Sequence, residues 1–360
     1  MSAILPLNFF GSAPFVLPLI NEIHINRGRS LQELAKEQLS RLPLSVREEL
    51  YLYPTLFDHL SLQKTIELSA VITQPDRFNR KKLVRNKIAQ FCLEKEIYLF
   101  QPQKIKAEVA AFLDIPPADI GIVAAYGQIL PREVIEAQPY GLLNWHPSLL
   151  PEYRGATPIQ AALRNRRTHS GLSWIEVVSK MDAGDIYLQT PYKIKPQDDF
   201  ETLARYFVNE GVRQWALVVA LRILDKERGI LDYVPRRQKF ADATFCGLLS
   251  KEDKYLDPEA LSAEEVYAHY RAYKTFPGTV YTSRYFRDQV RLTQALGIVS
   301  EQEFERLRQE AKSVGVFREW LQIVAPSGVF TLLKTKQGYL RVLRITLSSG
   351  REVVLSGYQF

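Results

Sequence analysis

Residues 120–146 read IGIVAAYGQILPREVIEAQPYGLLNWH. A continuous apolar run at 120–126 and a second strand-like run at 141–145 flank a stretch at 131–137 whose spacing fits a short helix. Continuous apolar runs of this length belong to strands buried on both faces, as in a parallel sheet covered by helices. The same alternation extends in both directions. Toward the start, residues 3–10 form a strand, 13–23 a helix, 68–73 a strand, 86–96 a helix, 97–100 a strand and 105–113 a helix. Pro6 lacks a ladder donor, so the first strand is expected to begin after it. Toward the end come a helix at 159–163, strands at 171–178 and 186–194, and one long amphipathic helix over 202–225. The predicted class is α/β, a Rossmann-like parallel sheet.

The chain has 360 residues, 46% hydrophobic and 24% charged, enough apolar material for two domains and too much for a disordered protein. A net charge of +7 suits a polyanionic partner and also suits many enzymes that never meet one. Cys92 and Cys246 are the only cysteines, which excludes a disulfide framework or a paired-cysteine metal site and points to a reducing, cytoplasmic setting. His24, His59, His169 and His269 are scattered, with no His-Glu-x-x-His, so no metal is expected. The apolar start lacks a basic leader and contains Asn8, Gly11 and three prolines, so it reads as core and not as a signal peptide. No stretch reaches the roughly 20 apolar residues of a membrane span.

The expected organisation is a first domain over 1–235, a polar linker over 236–262 and a second domain over 263–360. An added helical segment at 26–66 is predicted from Leu31, Leu34, Ala35 and Leu39 at helical spacing. The second domain shows a helix at 263–272 and short strands at 279–282, 289–293, 329–334, 339–347 and 352–355, with a helical insertion over 301–321. That pattern predicts a small, OB-like β-barrel.

Asn144 and His146 stand two apart at a predicted strand end, so both project from one face about 6–7 Å apart. Carboxyl ends of strands in open α/β sheets are where ligands bind. An asparagine amide can donate to a developing oxyanion, and an imidazole can carry protons near neutral pH. Asp182, in Met181-Asp-Ala-Gly-Asp185, is the candidate carboxylate beside that imidazole. The plainer readings are a structural histidine, a rigid proline-bearing loop after it, and Asp182 and Asp185 as turn residues.

The order of motifs bears on that choice. They are Phe10-Gly-Ser-Ala-Pro-Phe15, Thr73-Gln-Pro-Asp-Arg77 with Lys81-Lys82-Leu83, Val123-Ala-Ala-Tyr-Gly127 with Ile129-Leu-Pro131, and Asn144-x-His146. Ser148-Leu-Leu-Pro151, Arg154-Gly-Ala-Thr-Pro-Ile159 and Met181-Asp-Ala-Gly-Asp185 follow, then the looser Leu249-Ser-Lys-Glu-Asp253, Phe276-Pro-Gly278 and Gly338-Tyr-Leu340. In this order the chain resembles the folate-dependent formyltransferase family over most of its length.

The resemblance implies a formyltransferase catalytic domain followed by a β-barrel domain, with Asn144 holding a formyl oxygen, His146 as acid/base and Asp182 supporting it. It further implies that Ser148, Leu149, Leu150 and Pro151 line the folate site and that Arg77, Arg80, Lys81 and Lys82 touch the acceptor end of a tRNA. The donor would be 10-formyltetrahydrofolate and the acceptor methionyl initiator tRNA, used by a monomer in translation initiation, with no metal and no membrane. Formylation of an amino sugar nucleotide and hydrolysis of the folate donor would use the same trio, and a non-catalytic RNA-binding module is the rival from another class. The loop after Arg77 lacks the glycines usual in the family, and residues 26–66 and 301–321 have no family counterpart.

Overall fold

The computed structural model describes residues 3–42, 44, 46, 48, 62–79, 82–227 and 234–358. It divides into two compact units. The first comprises Met1–Pro158, His169–Lys193 and Ala204–Cys246, and the second Ile159–Thr168, Ile194–Leu203 and Gly247–Phe360.

The first unit is built on β1 (Ile4–Gly11), β2 (Thr65–Ile72), β5 (Leu99–Phe100), β6 (Ile120–Ala124), β7 (Leu142–His146), β9 (His169–Glu176) and β10 (Ile186–Lys193). They lie in the order β10-β9-β7-β6-β1-β2-β5. The apolar runs at 120–126 and 141–145 become the adjacent parallel strands β6 and β7. Phe10, Ile72, Phe112, Tyr126, Val134 and Leu142 pack into one buried cluster there.

The expected parallel sheet is present as β7-β6-β1-β2-β5, and β9 and β10 extend it with antiparallel strands, β9 against β7 and β10 against β9. Residues 177–185 join β9 to β10 without a crossover helix, and so short a connection can only turn the chain back. Pro6 lies inside β1, yet β6 pairs with β1 only from Leu7 onward, so the missing donor of Pro6 interrupts no bond on that side.

The helix expected over 202–225 is two helices, Phe200–Val212 and Trp215–Lys226. Gln38, from the helix Leu31–Arg41 of the added segment, explains how the break is tolerated. Its amide nitrogen donates to the Val212 carbonyl at 3.2 Å, and its oxygen accepts from the Ala216 and Leu217 amides at 2.8 and 3.1 Å. One side chain thus satisfies orphan groups at the end of one helix and the start of the next. The second of these helices is buried on every face from Trp215 to Leu224, so it is a core helix and not an amphipathic one.

Two short strands complete the unit's second tier. β8 (Arg154–Gly155) pairs in parallel with β11 (Phe245–Cys246). The basic stretch after Gln74 forms a hairpin of β3 (Arg77–Asn79) and β4 (Lys82–Val84).

The second unit carries a seven-stranded antiparallel sheet. Its strands are β12 (Val280–Ser283), β13 (Asp288–Val299), β14 (Ser313–Phe317), β15 (Trp320–Ala325), β16 (Gly328–Lys334), β17 (Tyr339–Leu347) and β18 (Glu352–Val354). They run β12-β13-β17-β16-β15-β14, with β18 on β17. Val290, Leu292, Trp320, Leu340 and Ile345 pack with Val266 and Tyr270 of the helix Ala263–Tyr273 into one buried cluster, and Leu307, Ile323 and Leu332 belong to another. That helix starts at a reciprocal capping box between Ser262 and Glu265. The helical insertion expected over 301–321 is helical only at Glu301–Gln309; Ser313–Phe317 and Trp320–Ala325 are paired strands. Val314, Val316 and Phe317 are residues that favour strands, and pairing with Trp320–Ala325 decides.

Gly155 has φ +123°, and a Cβ on it would lie 1.9 Å from the Cys246 carbonyl oxygen. Gly155→Ala is therefore expected to cost at least about 2 kcal/mol, read as a lowered midpoint in chemical denaturation.

His269 is 5% exposed, with Nε2 2.8 Å from the Asp253 carbonyl and Nδ1 3.2 Å from the Thr279 hydroxyl. A carbonyl only accepts, so Nε2 carries the proton and Nδ1 accepts from Thr279. Burial is the main cause that lowers its pKa to about 4, opposed by the bond to Asp253. Because the folded value lies below the unfolded one near 6.5, the unfolded chain takes up the extra proton between those limits. Stability is full above about pH 6.5 and falls by up to about 3 kcal/mol as pH drops toward 4. Denaturation across that range should show the decline, and His269→Gln should flatten it.

Candidate active site

β7 ends at His146, and the residues that follow fold back against β9. The Ser148 amide donates to the His146 carbonyl at 2.9 Å, and Ser173 of β9 donates from its hydroxyl to the Ser148 carbonyl at 2.6 Å. The Ser148 hydroxyl donates to the Glu152 carbonyl at 2.6 Å. Leu150 is buried with Ile175 and Ile186. Of the four residues assigned to the folate site, Ser148 and Leu150 thus spend their side chains inside the protein, while Leu149 and Pro151 are half-buried.

Asn144 and His146 project from the same side of β7, as period 2 requires. Both meet Asp182. The Asn144 amide nitrogen donates to Asp182 Oδ1 at 3.0 Å, and the Gly155 amide donates to Oδ2 at 2.7 Å. His146 Nδ1 stands 3.6 Å from Oδ2, an ion-pair separation when the ring is protonated. His146 Nε2 lies 3.0 Å from the Tyr153 carbonyl. That carbonyl can only accept, so Nε2 bears a hydrogen and Nδ1, facing the carboxylate, is the nitrogen whose proton can come and go. Asp182 itself sits at φ +50°, a conformation few non-glycine residues adopt. The three side chains named from sequence therefore converge.

Asp185, the other acid of that loop, goes elsewhere. Burial raises its pKa, with Glu176 adding to the rise. The charges acting on it are those of Glu176, Arg237, Asp225 and Arg222.

Three groups beside the trio escaped the sequence reading. The Tyr153 carbonyl and the Gly155 amide are backbone atoms and leave no mark on side-chain pattern. Gln238 falls in the stretch read as linker, and its amide nitrogen donates to the Asp182 carbonyl at 2.9 Å and the Gly184 carbonyl at 2.7 Å.

Of the basic set, Arg77 is exposed and donates to Gln74 Oε1 at 2.7 Å. The backbone of Lys82 lies in β4, while Arg80 and Lys81 fall outside the described residues. Among the described residues no group of three or more histidine, cysteine or acidic side chains could hold a metal, and no helix is long and apolar enough to cross a membrane.

Comparison with known proteins bears on what this centre does. Residues 53–220 match the model of the formyl transferase family. The chain is 35% identical to the methionyl-tRNA formyltransferase of a Sulfurihydrogenibium species over 221 residues, 60% of this chain and 68% of that protein. It is 28% identical to the methionyl-tRNA formyltransferase of Caldicellulosiruptor saccharolyticus over 303 residues, 81% of this chain and 89% of that protein. Among solved structures, a sugar N-formyltransferase from a Shewanella species superposes with a TM-score of 0.53 at 15% identity, covering 82% of this chain and 99% of that one, which speaks for the fold alone. With an asparagine and a histidine meeting an aspartate at the end of a sheet strand, and with relatives of this name matched across most of their length, the chain belongs to the methionyl-tRNA formyltransferase family and is a formyltransferase.

Proposed function

We propose that the chain transfers the formyl group of 10-formyltetrahydrofolate to the α-amino group of methionyl initiator tRNA. The convergence of Asn144 and His146 on Asp182 carries this reading. A formyl carbonyl under attack by an amine develops negative charge on oxygen and positive charge on nitrogen, and the trio answers both. The Asn144 amide nitrogen uses one hydrogen on Asp182 and directs the other at the oxyanion. His146 accepts the proton of the attacking amine at Nδ1 and returns it to the leaving nitrogen as the C–N bond to the donor breaks, so the proton count balances. Asp182 stabilises the imidazolium while it exists.

Leu149, Pro151 and the backbone of residues 148–151 line the donor site in this reading, with Ser148 and Leu150 holding that loop in shape. Arg77, Arg80, Lys81 and Lys82 contact the acceptor end of the tRNA, and phosphate contacts of this kind weaken as salt rises.

Asn144→Ala and His146→Ala should each lower kcat at least about 100-fold while the protein stays folded, read by a cooperative thermal melt. An unaltered rate in either would remove that residue from the mechanism. The substrate is tested by offering purified protein charged initiator tRNA and amino sugar nucleotides side by side; turnover of the sugars alone would overturn the assignment. Replacing Arg80 and Lys81 by alanine should raise KM for tRNA and flatten its salt dependence, leaving KM for the folate donor unchanged. A matching loss with a minimal acceptor would place their role in folding or catalysis.

A further inference from the structure

The segment after Val234 lies beyond the part of the chain that matches the family model. It nonetheless threads through the centre just described. Arg236 exchanges two backbone hydrogen bonds with Ile186 of β10, at 2.8 and 2.9 Å. Further along, the Arg154 amide donates to the Thr244 carbonyl at 2.9 Å, the Tyr153 amide to the Thr244 hydroxyl at 2.8 Å, and the Cys246 thiol lies 3.4 Å from the Tyr153 carbonyl. Tyr153 and Gly155 are the residues whose backbone holds His146 and Asp182.

Between these attachments stands Gln238, 9% exposed. Its oxygen accepts from Arg154 Nε at 3.1 Å and Nη2 at 2.8 Å, and its nitrogen donates to the carbonyls of Asp182 and Gly184. A guanidinium only donates and a carbonyl only accepts, so the amide can face one way only. All four of its hydrogen-bonding positions are filled. The Arg154 guanidinium is itself 1% exposed and lies 4.6 Å from the Phe240 ring centroid, so another residue of the same segment covers it.

We infer that Gln238 is a positioning residue for formyl transfer: it fixes the backbone of Asp182 in its left-handed conformation, and Arg154 fixes the orientation of Gln238. The segment 236–246 is thereby part of the active site and not a tether between domains. This inference rests on the catalytic reading of Asp182 given above.

Two variants separate its parts. Gln238→Glu keeps the acceptor for Arg154 and loses both donors to the Asp182 loop. Gln238→Asn keeps a neutral amide one methylene too short to span from Arg154 to the two carbonyls, and serves as the measurement should the glutamate variant not fold. Either folded variant should lose about 10- to 100-fold in kcat for formylation of methionyl initiator tRNA, with KM for both substrates within about 2-fold of the parent.

Made in an Asp182→Ala background, the same change should cost less than about 3-fold, because the residue it positions is gone. Parent-like kcat in a folded Gln238 variant would overturn the inference, and so would an undiminished loss in the Asp182→Ala background. If Asp182→Ala alone keeps the parent rate, the catalytic reading itself falls. If Asp182→Ala is slow and the Gln238 variant fast, only the positioning role falls.

Discussion

One largely buried carboxylate organises the centre of this protein. Asp182 accepts from Asn144 on one oxygen and from the Gly155 amide on the other, with His146 beside it. A charge removed from water is costly unless such donors surround it, so the strand end and both loops must be in place together. That requirement explains the uncommon backbone around it. Asp182 accepts a positive φ, Gly155 is held too near Cys246 for any side chain, and Gly184 has the Glu176 carbonyl 2.0 Å from where a Cβ would stand. Unfavourable local conformations here are held by the hydrogen bonds they make possible.

The features legible in the sequence were those encoded locally. The unbroken apolar run at 120–126 and the largely apolar one at 141–145 announced buried strands, and the two-residue interval between Asn144 and His146 announced a shared face. Features set by distant partners were not legible. The reversal of β10 on β9 follows from the short stretch between them, but nothing near His169 states which way β9 runs against β7. The break at residues 213–214 is hidden inside a strongly helical stretch, and the side chain that mends it, Gln38, is more than 170 positions away. Gln238 looked like one polar residue in a polar linker because its partners lie 54, 56 and 84 positions earlier.

Gln38 also shows that the added helix is more than an appendage. Leu31, Leu34 and Ala35 are buried, and the amide among them joins two helices that stand behind the sheet. Next to them, Gln214 accepts from the Trp174 indole at 3.1 Å and donates to Thr190 at 2.9 Å, tying the same break to β9 and β10. Polar side chains buried with every group engaged give a packed interior a unique arrangement. Here they link the sheet to the helix Leu31–Arg41.

The chain enters the second unit at Ile159, returns at His169, enters again at Ile194 and returns at Ala204 before Gly247 begins the final stretch. Those early visits are anchored within that unit: Lys274 pairs with Asp199 at 2.5 Å, and Arg271 donates to the Asp198 carbonyl at 3.1 Å. No single cut can release one unit intact from the other. A fragment stopping at residue 246 would carry two orphaned excursions, one ending next to His169 and the other beginning next to Lys193, the outer ends of the hairpin whose turn bears the key acid. Severing the chain after residue 246 would therefore take the partners from both excursions at once, at the start of β9 and the end of β10.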